Sequence, residues 1–384
     1  MGEMIAGIVL GPSVLGVLFP IALPALFPPA SMETLRLLSQ IGVVLFMFTV
    51  GMELNVQHLR EKGSVAVMIS HASIIVPFLL GSTLSLFLYR NLAPSGTSFS
   101  AFALFIGVAM SITAFPVLAR ILEDRNLTQT TLGSIALTCA AVDDVTAWCI
   151  LALVIALAKS TGLASSALTI GLTIAFAVVM IFLVRPELAR IIKKRDSPQR
   201  RRHLIPIILT FVLGCALVTE TIGIHALFGA FIAGVVMPPS TEIRIFLKDK
   251  LEAFGSYALL PLFFAFTGLR TQITLLNDWQ SWAMCAVIIV VAIAGKLGGS
   301  MLMSRWSGMK WSQSFSIGVL MNTRGLVELV VLNIGYDLGI LSERIFAMMV
   351  IMALVTTFMT GPLLALVRRS EEISPTAAKA QSFG

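Results

Sequence analysis

Asp143 and Asp144 stand side by side in "SIALTCAAVDDVTAWCILALVIALA", a run from Ser134 to Ala158 that is otherwise almost wholly apolar. A charged side chain at the centre of a bilayer costs about 2.5–3.5 kcal/mol on insertion scales, so a pair of carboxylates there demands a chemical reason. Two adjacent like charges repel and make a poor structural staple; as a binding site for a cation or a proton they make sense. Consecutive helical residues point about 100° apart, so the two carboxylates diverge and serve different partners. Lys296, in "AIAGKLGGS", is the lysine at span depth and the natural counter-charge for one of them. Arg324 and Glu328 form a second buried set. Their i,i+4 spacing fits an ion pair that holds one helix as well as it fits a site.

Two further stretches carry polar or helix-breaking residues where lipid is expected. "GVAMSITAFPVLARIL" at 107–122 places Ser111, Thr113, Ala114 and Pro116 in mid-span. Proline lacks an N–H and clashes with the preceding turn, which predicts unwinding near Thr113 and Ala114. "SIGVLMNTRGLVELVVLNIG" at 316–335 places Asn322, Thr323, Arg324 and Gly325 likewise. Interrupted spans in corresponding halves of a chain point to a transporter site at the midplane, where freed carbonyls and half-helix ends bind a small ion.

These residues need elements to hold them. Of the 384 residues 57% are hydrophobic and 12% charged, half the charge of an ordinary soluble domain. Apolar runs of about 20 residues recur, each long enough to cross a bilayer as a helix. They are continuous, not alternating, which favours helices over a barrel. The expected fold is therefore all-α and polytopic, with twelve spans at 4–23, 34–53, 64–88, 99–122, 130–158, 163–184, 204–220, 223–238, 253–269, 281–304, 313–336 and 343–367. Residues 1–367 form the membrane domain and 368–384 a short polar tail. In triplets, 64–158 matches 281–367 with a broken helix central in each and opposite starting sides, an inverted repeat. The segments 4–53 and 163–269 are left as scaffold.

With the start in the cytoplasm, cytoplasmic segments and span ends hold 20 Lys/Arg, including the run at 185–202. The outer side holds five, and the remaining two of the 27 are Lys296 and Arg324. That asymmetry predicts both termini in the cytoplasm. Basic residues spread over loops between spans give no support for nucleic-acid binding. The four cysteines form no CxxC pair and read as packing residues. "IGIHALFGAF" places His225 at a helix end, and His71 stands by itself in its span. No phosphate-binding or zinc motif is present, and no cofactor is expected.

The chain resembles the monovalent cation:proton antiporters of the sodium/proton exchanger superfamily, in the branch with paired aspartates. "GEMIAGIVLGPSVLG" at 2–16, "FTVGMEL" at 48–54, "SITAFPVLARIL" at 111–122 and "AAVDDVTAW" at 140–148 carry the likeness. So do "IGIHALFGAFIAGVVMP" at 222–238, "LPLFFAFTGLRT" at 260–271 and "TRGLVELVVLNIG" at 323–335. The last, with "MALVTTFMTGPL", resembles the cation/proton exchanger subgroup linked to potassium. The resemblance implies a thirteen-helix fold with two crossing broken helices, of which this chain carries twelve, opening at what resembles the second. It implies a dimer, and a mobile core that gives alternating access. Asp144 would bind the monovalent cation and exchange it for protons, Asp143 would pair with Lys296, and Thr113 and Thr323 would lie nearby.

The expected function is thus secondary transport of K⁺ or Na⁺ against protons, not enzymatic catalysis, in the plasma membrane among its lipids. Burial raises a carboxylate's proton affinity and a neighbouring lysine lowers it, so proton and cation can compete for Asp144. Release of a second proton from Lys296 would make the exchange electrogenic. A proton-independent channel and an intramembrane aspartyl protease are the alternatives. The protease needs two carboxyls that meet across a bond and share a proton, and adjacent helical residues diverge instead.

Overall fold

A computed structural model describes residues 2–53, 63–128, 130–159, 163–195, 204–238 and 241–373. Residues 196–202 of the basic run and 374–384 of the expected tail lie outside these. The described residues are helical, with no strand among them. Among the described residues, eight helices are long and apolar enough to cross a membrane, or nine if the bent pair Trp311–Met321 and Leu326–Asp337 counts as one span. Three expected spans come out shorter or interrupted. Segment 4–23 gives a helix at Gly2–Leu10 and a short one at Leu15–Leu18. Segment 223–238 gives a ten-residue helix, Ala226–Val235, started by His225, whose side chain accepts the Leu227 N–H. Segment 253–269 is divided by a π-turn at Gly255–Leu259.

Two compact units emerge. One comprises Met1–Gln57 with Trp148–Thr274, the other His58–Ala147 with Leu275–Gly384. Within the first, helices meet at glycines. A Cβ on Gly51 would lie 3.0 Å from the Gly234 Cα, and one on Gly7 would lie 2.6 Å from the Ala265 carbonyl oxygen. Without a hydrophobic drive between helices in lipid, such close backbone approach supplies the packing energy. The helix Ala167–Ile192 is different: its most apolar window is only 6% buried within the molecule.

The second unit holds all the candidate residues. A serine-bearing helix, Gly63–Leu92, packs against the first broken helix, Phe99–Ser111 and Phe115–Asp124. Ser98 caps the start of the former half by accepting the Ala101 N–H. The chain turns extended at Ile112 and remains so at Ala114. Pro116 does not kink a continuous helix; it sits at the first turn of the second half, where its missing N–H has no cost. The aspartate helix, Thr131–Lys159, follows. The lysine helix, Trp279–Trp306, contains a π-turn at Ala294–Gly298, one residue wider than an α-turn, that carries Lys296. Its Gly295 and Gly299 press on the serine helix near Pro77 and Val76, whereas Gly298 faces open space. The second broken helix and a long closing helix, Glu343–Ile373, complete the unit. Ile69, Leu118, Leu122, Cys139, Ala140 and Leu320 form part of its buried core.

Candidate ion-exchange site

The two breaks meet. The Ala114 N–H donates to the Thr323 carbonyl at 3.1 Å, so each unwound strand satisfies part of the other. Gly325 permits the crossing, because a Cβ there would lie 2.6 Å from Val117 Cγ2 and 3.2 Å from Ala114 Cβ. Thr357, on the closing helix, accepts the Arg324 N–H at 3.0 Å and donates to the Arg324 carbonyl at 2.7 Å. Buried backbone groups must be paired, and in lipid only other protein can pair them.

Beside this crossing lies Asp143, fully buried. Its Oδ1 accepts from Ser70 at 2.5 Å. Its Oδ2 accepts from Ser73 at 2.6 Å, from Thr113 at 2.7 Å and from the Lys296 ammonium at 2.9 Å. Lys296 Nζ also donates to the Ser73 carbonyl at 2.9 Å and to the Ser111 carbonyl. The Ser73 hydroxyl lies 3.2 Å from Nζ as a fourth acceptor, so all three protons of the ammonium are taken. A carboxylate with four donors and an ammonium whose three protons all find acceptors form a fully satisfied ion pair.

Asp144 is 1% exposed, one residue along the same helix and within electrostatic range of Lys296. Thus Ser111, Thr113, Asp143 and Lys296 come together. Thr323 contributes its backbone; its hydroxyl turns back to the Leu320 carbonyl at 2.7 Å. Asn322 caps the half-helix Trp311–Met321, and its side chain reaches Met359 Sδ. Arg324 and Glu328 pair with each other at 3.0 Å, both fully buried. Ser70, Ser73 and Thr357 escaped the sequence reading. Two serines at i,i+3 share a helix face, and that spacing inside an apolar span is the signal that could have found the first two.

The model of the transmembrane region of sodium/hydrogen exchangers matches residues 1–368. The chain belongs to this family. It is 47% identical over 365 residues to Na(+)/H(+) antiporter NhaS4 of Synechocystis, covering 94% of this chain and 89% of that one. Cation/H(+) antiporter 17 of Arabidopsis thaliana is 42% identical over 96% of this chain. K(+)/H(+) antiporter 1 of Saccharomyces cerevisiae is 35% identical over the same share. The chain spans about half the length of these plant and yeast relatives, 45% and 43%. Among solved structures, the sodium proton antiporter MjNhaP1 from Methanocaldococcus jannaschii superposes with a TM-score of 0.65 at 14% identity. That match covers 95% of this chain and 88% of the other, and it shows the fold. A multi-pass, all-helical membrane protein of the exchanger family is the result.

Proposed function

We propose that the chain exchanges a monovalent cation, K⁺ or Na⁺, for protons by competition at Asp144 with alternating access. The observation that carries this reading is the commitment of Asp143. Its oxygens are taken by three hydroxyls and Lys296, so its charge serves to hold the ammonium. Asp144, the neighbouring buried carboxylate, is then the group for cation and proton to contest. Protonated, it has no charge to hold a cation; deprotonated, it has. The names of the relatives, Na(+)/H(+), K(+)/H(+) and cation/H(+) antiporters, support both candidate cations.

Purified protein in liposomes loaded with a pH-sensitive dye tests it. Addition of K⁺ or Na⁺ should release protons from acid-loaded vesicles, and Asp144→Asn should abolish that response while still inserting and folding. Normal exchange by the variant would overturn the assignment. Cation movement with no proton movement would favour a channel instead.

The domain roles belong to the same proposal. Residues 64–158 and 281–367 act as the transporting core; 4–53 and 163–269 act as scaffold and dimer side. The outward-facing apolar helix Ala167–Ile192 suits lipid and a second copy. Both termini are assigned to the cytoplasm of a cell membrane on the distribution of Lys and Arg.

A further inference from the structure

The half-helix Phe99–Ser111 ends inside the protein, and its last turn leaves carbonyl oxygens with no partner in their own helix. Two side-chain cations divide that end. Arg324 donates to the Ala109 carbonyl at 3.1 Å and to the Met110 carbonyl at 2.8 Å. Lys296 takes the next carbonyl, Ser111. Each cation also has its own carboxylate: Glu328 for Arg324 and Asp143 for Lys296. Arg324 and Lys296 lie within electrostatic range of one another, as do Lys296 and Glu328. The second ion pair is therefore attached to the same helix end as the first.

Its own pairing is incomplete. Glu328 Oε2 and Arg324 Nε are buried with no hydrogen-bond partner. A pair kept only to staple a helix gains little from burial, because desolvation offsets most of the attraction. A helix C-terminus carries about half a negative charge, and a cation placed on it offsets that field.

We propose that Arg324 and Glu328 are positioning residues that set the cation affinity of the exchange site, Arg324 by masking the Phe99–Ser111 helix end and Glu328 by limiting the positive charge that Arg324 adds. This rests on the antiport reading for the identity of the ion. It names no new ligand for it. With Arg324 in place, two of the three carbonyls are taken and Lys296 is held on Ser111 and Asp143. Without it, the uncapped carbonyls and the Glu328 charge make the surroundings more negative, and a cation binds more tightly. Without the Glu328 charge, Arg324 stands uncompensated and a cation binds more weakly. The two substitutions therefore act in opposite directions.

The test measures binding, separately from transport. Purified protein in detergent at fixed pH is titrated with KCl or NaCl against choline chloride, and the half-saturating concentration is read from the rise in melting temperature. Arg324→Gln should lower that concentration by about three-fold or more, and Glu328→Gln should raise it by about as much, the scale expected of one buried charge a few turns away. Arg324→Lys, which restores the charge but not the fork that spans the Ala109 and Met110 carbonyls, should fall between wild type and Arg324→Gln. If Arg324→Gln is not recovered folded, Glu328→Gln and Arg324→Lys decide by the same signs. Unchanged half-saturation, or shifts in the same direction, would overturn the proposal and leave the pair a structural staple. Failure of wild type to exchange ions in liposomes would overturn the antiport reading instead, which this titration does not measure.

Discussion

Asp143 is the most heavily committed carboxylate among the described residues, and its surroundings define what its loss would do. Asp143→Asn presents an amide N–H₂ to donors that need acceptors and leaves the Lys296 ammonium without its anion. Lys296→Gln leaves the carboxylate with three hydroxyls but no counter-charge. Removing one partner of a buried pair costs about 3–5 kcal/mol, whereas removing both costs far less. The double variant Asp143→Asn/Lys296→Gln should thus be more stable than the two single losses added together, by at least about 1.5 kcal/mol on a thermal-unfolding cycle. Additive losses would mean that the 2.9 Å contact contributes nothing of its own. The sequence could assign Lys296 to one of the aspartates because buried charge has few places to go. It could not assign Ser70 or Ser73, because a serine in a membrane helix usually bonds its own preceding turn, as Ser85 does to Gly81.

The broken helices show why breaks were legible and their fastening was not. Proline, asparagine and glycine inside apolar runs announce an interruption. What pairs the freed backbone depends on which helix passes by, and no local pattern states that. Here it is Thr357, about four turns into the closing helix, whose hydroxyl takes both the N–H and the carbonyl of Arg324. Thr357→Val keeps the shape and removes both bonds, leaving buried backbone groups unpaired at about 1–3 kcal/mol. The expected outcome is a melting temperature several degrees lower and slower exchange. Thr356→Val, which loses only bonds to its own helix at Met352 and Ala353, serves as the control and should be milder. Equal effects would show that Thr357 does not hold the break.

For the molecule as a whole, class and order of elements were readable because a bilayer imposes length, apolarity and internally satisfied backbone on every span. The segments at 4–23, 223–238 and 253–269 came out shorter or interrupted for a different reason. Gly11 and His225 interrupt runs whose average hydropathy alone looks continuous, and 253–269 is the later part of a helix that runs on from Thr241 through the π-turn at Gly255–Leu259. The chain passes between the two units at three places, one of them between Ala147 and Trp148, inside an unbroken helix where no local pattern marks it. Net charge movement is a property of the complete transporter. If Lys296 gives up a proton when the cation enters and Asp144 gives up another, two protons exchange for one cation. One charge then crosses per cycle, worth about 2.3 kcal/mol for each 100 mV. Wild type on a solid-supported membrane should give a transient current under a cation gradient, and Lys296→Gln should lose it. Exchange indifferent to an imposed potential would rule out the two-proton scheme while leaving Asp144 as the competed site.

The π-turn at Ala294–Gly298 has a consequence for heredity. An α-helix advances about 100° per residue, so a turn holding one residue more than its neighbours re-aims everything beyond it. Lys296 meets Asp143, Ser73 and Ser111 only in that phase. Exchange of one side chain for another in this stretch, Lys296 and Gly295 apart, alters a local contact. Loss or gain of a single codon instead turns one half of the lysine helix against the other. Residue number, as well as the identity of Lys296, is what this part of the gene has to keep.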